Sequence, residues 1–204
     1  MTLSLAGFSD SMAAIVAHAA PMVLAIRVGP NRHITGVHWR PDTVVSPDQP
    51  LPPQDAYTLV RPNGALTPAR GGAREQTLNL ACLRLDAPHA PPAMPMGHDA
   101  PVGSLVLVVG ADFDGSPTAR LAGVHRRARP GGIDGPGPVL DPMGVGALDQ
   151  GGIVLDMTGR VLGMAAIGPS GLTVIVPHDV IGRFLDPGTP QRVASPDPAP
   201  AISV

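Results

Sequence analysis

Beyond residue 21, proline and glycine cut this chain into short apolar runs, and few folds can be assembled from pieces of that length. There are 26 prolines and 25 glycines in 204 residues, and clusters of them separate the runs. Proline removes a backbone donor and glycine admits left-handed geometry, so such clusters mark turns. The runs lie at 22–28, 34–39, 43–46, 57–61, 65–69 and 79–85, then at 104–110, 118–125, 152–155, 161–167 and 172–176. Their length and their Val, Ile and Leu content read as strands. No strand is predicted in the Gly/Pro-rich segment 129–144. Residues 86–101 hold five prolines and read as a connector between the halves. Two sets of about six strands around such a connector suggest two packed small barrels, although the pattern alone equally allows a β-sandwich.

Composition narrows the functional classes. The apolar fraction of 44% supports a core, and the aromatic fraction of 2% means that Val, Leu, Ile, Ala and Met must build it. A net charge of −2 gives no electrostatic footprint for nucleic acid, and the Arg126, Arg127 and Arg129 cluster is too short to supply one. All 14 cationic side chains are arginine. The single cysteine, Cys82, excludes an internal disulfide and reads as a packed core thiol. Near the N-terminus an apolar stretch, 12–28, reads as a helix capped by Ser9 or Asp10 and ended by Pro21, feeding a strand. No Lys or Arg precedes Arg27, so the positive region of a signal peptide is missing. His18, Pro21 and Arg27 leave the stretch short of a membrane span, and a cytoplasmic location without membrane association is expected. The expected division is a helix at 1–20, a first barrel at 21–100, a second barrel with a short helix at 101–186, and a disordered Pro/Ala-rich tail at 187–204.

One run carries more chemistry than the rest. Residues 147–155 read Ala-Leu-Asp-Gln-Gly-Gly-Ile-Val-Leu, followed by a turn at 156–159 and the strand Arg160-Val161-Leu162-Gly163-Met164. This resembles the nucleophile block of trypsin-like serine proteases, above all the HtrA-like branch, with Gln150 where the serine should stand. Three further blocks resemble the same branch in order. Residues 12–28 are similar to its leading helix and first strand. Thr35-Gly36-Val37, followed by Val44-Val45-Ser46-Pro47-Asp48-Gln49, is similar to its histidine block. Leu78-Asn79-Leu80-Ala81-Cys82-Leu83 is similar to its aspartate block. Residues 171–177 are similar to its closing strand.

The resemblance implies an all-β, trypsin-like double β-barrel with a short helix at each end. It places Gln49, Asn79 and Gln150 at the three triad positions and Leu148 at the glycine of the oxyanion hole. Triad catalysis needs a nucleophile, a base near neutral pKa and a carboxylate that orients the base. An amide supplies none of these. No Ser, Thr or Cys lies between Thr118 and Thr158, and no His between His38 and His89, so a small alignment slip restores nothing. The expectation is therefore a pseudoenzyme, with no catalytic residues, that holds a peptide or protein in the old substrate groove near Ile167, Gly168, Gly171 and Leu172. It would act alone or by modulating an active relative. A residual hydrolase and a structural subunit of a larger complex are the alternatives. The three amides are expected to hydrogen-bond one another across the barrel interface, or else to be drift after loss of activity. The final residues, Ile202 to Val204, suit capture by a PDZ domain or read as a frayed end. No cofactor is expected: the glycine-rich run 131–137 lacks the lysine of a phosphate loop. His33 and His38 lie on opposite faces of one strand, and no metal site is expected.

Overall fold

Alternation of side chains along each strand sorts this chain into three apolar clusters, one inside each of two barrels and one between them. The structure, a computed structural model, describes residues 4–127, 137–142 and 150–186. Helix α1 (Leu5–Ala19) and a 3-10 turn at Ala20–Met22 lead into β1 (Val23–Gly29), β2 (Arg32–Arg40), β3 (Thr43–Ser46), β4 (Ala56–Val60), β5 (Leu66–Glu75) and β6 (Leu80–Leu85). These six strands close in the order β1-β2-β3-β6-β5-β4, every pairing antiparallel. A second closed barrel follows: β7 (Leu105–Ala111), β8 (Pro117–Arg127), β9 (Pro138–Pro142), β10 (Ile153–Asp156), β11 (Val161–Ile167) and β12 (Thr173–Pro177). Helix α2 (His178–Leu185) ends the described chain. The fold is the all-β double barrel, not a sandwich. Among the described residues no helix is long and apolar enough to cross a membrane.

The strands are apolar on both faces because both faces are buried. In β1, Leu24 and Ile26 fill the first barrel while Val23 and Ala25 face the second. In β7, Val106 and Val108 fill the second barrel while Leu107, Val109 and Ala111 face the first. The cluster between the barrels also receives Met164, Ala166 and Val176, together with Val180 and Ile181 of α2. Closure removes the exposed strand edges that a pair of open sheets would leave.

Three local expectations need correction. Helix α1 starts earlier than Ser9 or Asp10. Ser4 caps it, its Oγ accepting the Gly7 N–H at 3.0 Å. A further strand, β9, lies in the Gly/Pro-rich segment. Strand β5 runs past residue 69 to Glu75, and its pairing with β6 shifts between Gly71 and Arg74. The shift turns the Ala73 N–H to the Cys82 thiol, at 3.1 Å, and the thiol is buried. The tail at 187–204, with Ile202 and Val204, and Leu148 lie outside the described residues.

Candidate functional site

Asn79 sits at the seam of the two barrels and is bonded on every side. It closes the turn 76–79 ahead of β6, its N–H donating to Gln76 O at 3.1 Å. Its backbone is left-handed, with φ 52°, a conformation asparagine tolerates better than most residues. Its own C=O accepts the Asp48 N–H at 3.2 Å. The side-chain oxygen accepts the Gln49 N–H at 2.8 Å, and Nδ2 donates to the Ile167 C=O at 3.0 Å. The two bonds fix which end of the amide is which: a backbone N–H needs the oxygen, and a carbonyl needs the NH₂. One side chain thus links residue 49 of the first barrel to residue 167 of the second.

The expected mutual network of three amides does not form. Among the described residues no hydrogen bond joins the side chains of Gln49, Asn79 and Gln150. Asn79 bonds backbone groups instead, because neighbouring main chain reaches both ends of its short amide. Gln49 is exposed in a turn. Gln150 is half-buried, and its C=O accepts the Thr35 N–H at 3.1 Å. Gly151 follows with φ 86°, so close to β2 that a Cβ there would lie 1.9 Å from the Thr35 oxygen. Thr35 is a second link between the barrels, its Oγ1 accepting the Ala111 N–H at 3.1 Å. The sequence placed Thr35 at the head of the histidine-like block but did not show this contact, since its partner lies 76 positions away.

A cavity of about 370 Å³ opens beside Asn79. Leu78, Ala166, Ile167, Val174 and Val176 give it apolar walls; Gln49, Gln76, Thr77 and Asn79 give it polar ones. Of the predicted groove residues, Ile167 and Gly168 line it. Gly171 and Leu172 stand in the adjacent turn, closed by Gly168 N–H to Leu172 O at 2.8 Å, with Leu172 44% exposed. The turn 76–78 and the β12 residues 174 and 176 were not foreseen; their alternation on β12 is the signal that could have found them.

The electrostatics of the cavity are nearly neutral. Among the described residues Asp48 is the one ionisable residue lining it, and it is buried. Arg74 pairs with it through Nε, and Arg74 Nη2 also donates to the Asp48 and Leu51 carbonyls at 3.0 and 2.6 Å. Among the described residues no histidine, serine or cysteine lines the cavity. The arrangement can accept and donate hydrogen bonds and can bury apolar surface. Its described lining offers no free charge.

Comparison with protein families gives a match to the trypsin-like peptidase domain over residues 34–164, more than half of the chain. The chain belongs to the trypsin-like peptidase domain family. The match begins in β2 and ends in β11, so it takes in Gln49, Asn79 and Gln150 and the seam that holds them. No curated protein matches this trypsin-like domain.

Proposed function

We propose that this trypsin-like domain is a catalytically inactive, HtrA-like member of its family that binds an extended peptide in the cleft between residues 76–79 and 166–169. The observation that supports it most is the state of Asn79. At the position where a triad carboxylate would orient an imidazole, the carboxamide is bonded to the Gln49 N–H and the Ile167 C=O. Gln49 offers no base and Gln150 no nucleophile, so acyl transfer has no donor of electrons and no carrier for its proton. The walls of the cleft remain suited to binding, with apolar surface for a side chain and amides for a backbone.

The test is a labelled heptapeptide of alanine and valine, followed by fluorescence anisotropy and then by mass spectrometry of the same sample. Saturable binding of an intact peptide is expected. Thr77→Trp, which plugs the cleft from an exposed turn, should weaken binding roughly tenfold. Cleavage that persists through purification and disappears in Gln150→Ala would instead establish a hydrolase.

A further inference from the structure

The pairing of β11 leaves one backbone acceptor in an unusual position. Up to Ala165, the edge of β11 away from β12 is covered: the Ala165 N–H donates to Gly152 O, and the Gly151 N–H to Ala165 O, both at 2.8 Å. Beyond that point the last described residue of the neighbouring chain, Gln150, turns its C=O to the Thr35 N–H of the first barrel. Gly168 bonds Leu172 across the β11–β12 turn, so antiparallel alternation turns the Ile167 C=O away from β12 and toward the cleft. A strand-edge carbonyl so placed is an acceptor for an incoming strand. Here the Asn79 side chain already bonds it.

That bond is the exchangeable one. The other three bonds of Asn79 stay within residues 48–79 of the first barrel, and the left-handed turn holds its backbone. Only Nδ2 reaches the second barrel. The surrounding walls select the ligand further. Among the described residues Asp48 is the single ionisable lining group and is already paired with Arg74, so a charged side chain entering the cavity would lose water and gain no partner from that lining.

We infer that the cleft takes an extended peptide segment with uncharged side chains, whose backbone N–H displaces the Asn79 amide from the Ile167 carbonyl, making Asn79 the residue that sets affinity. This rests on the peptide-binding reading above. The Asn79 bond acts as an internal competitor. A ligand must break it to pair with β11, and a chain lacking the Asn79 donor binds without that competition.

The experiment compares the full chain with Asn79→Gly and Asn79→Asp, using heptapeptides that carry leucine, glutamine, arginine or glutamate at the centre. Glycine keeps the left-handed turn and removes the donor without adding charge. Aspartate keeps an acceptor for the Gln49 N–H and cannot donate. Both variants should bind the leucine- and glutamine-centred peptides roughly five- to tenfold tighter than the unaltered chain, the effect of one competing hydrogen bond. A bond that only stiffens the seam predicts the opposite sign, because loosening the cleft would weaken binding. In the unaltered chain, charged-centre peptides should bind about tenfold more weakly than uncharged ones. The Asn79 side-chain NH₂ resonance, followed by NMR in the unaltered protein, should shift on saturation, which tests the displacement without any variant. Peptides that bind with equal affinity to all three proteins, an unmoved NH₂ signal, or equal affinity for charged centres would overturn the inference and leave the peptide-binding reading standing. Absence of binding by all three proteins would end both.

Discussion

At the residue scale, close approach of backbones at the seam decides which side chains are allowed. Gly151 has a left-handed φ, and its missing Cβ leaves room for the Thr35 carbonyl. Gly151→Ala combines strained backbone with a clash against main chain, and it should lower stability by on the order of 3 kcal/mol in denaturant unfolding. His38 gives a second prediction. Burial holds its imidazole below the ordinary value of 6.5, with Arg61 and His89 adding smaller repulsions and a hydrogen bond from Nε2 to Pro41 O opposing them. His89 stacks on it, ring centroids 6.1 Å apart. In the unfolded chain the same imidazole binds its proton first as pH falls. Stability is therefore complete above about pH 6.5 and is lost as pH falls below it, toward the lowered folded value. Unfolding midpoints measured from pH 7.5 to 5 should show that slope, and His38→Gln should flatten it. Four short blocks in order drew attention to residues 49, 79 and 150 in the sequence. Their hydrogen bonds were not legible there. Asn79 meets main chain from residues 88 positions away and 30 positions away, and no local spacing reports such partners.

At the element scale, the two helices serve the barrels unequally. Helix α2 sets Val180 and Ile181 into the cluster between the barrels. Ile181 is fully buried, so Ile181→Ala should cost about 2–5 kcal/mol, read as a lowered midpoint in thermal or denaturant unfolding. Helix α1 packs Ala19, with Met12, Ile15 and Val16, on the same cluster, while its first residue, Leu5, is 84% exposed. Its early start escaped the sequence reading because the turn before Ser9 carries no buried face. Strand β9 escaped for another reason. Prolines bound it at 138 and 142, and it pairs with β12 at a single position, Val139 opposite Val174. Such a strand has almost no pattern of its own; its partners β8 and β12 define it. The strands at 43–46 and 161–167 and the helix at 178–185, by contrast, form where apolar content and turn residues placed them.

At the scale of the whole molecule, the barrels share a cluster in which neither is complete. Residues of β1, β2, β3 and β6 meet residues of β7, β10, β11 and β12 there, and the cleft opens where that contact reaches the surface beside Asn79. Strand length and turn spacing could not separate closed barrels from a sandwich, because both are built from short antiparallel strands joined by Gly/Pro turns. The order of the motifs supplied what that spacing lacked. The central claim is that a peptide occupies this cleft and leaves unchanged. Hydrogen–deuterium exchange with and without a saturating alanine–valine heptapeptide tests it most directly. Protection concentrated at 76–79 and 166–169, with the peptide recovered intact, is the expected result; protection elsewhere alone, or a cleaved peptide, would contradict it.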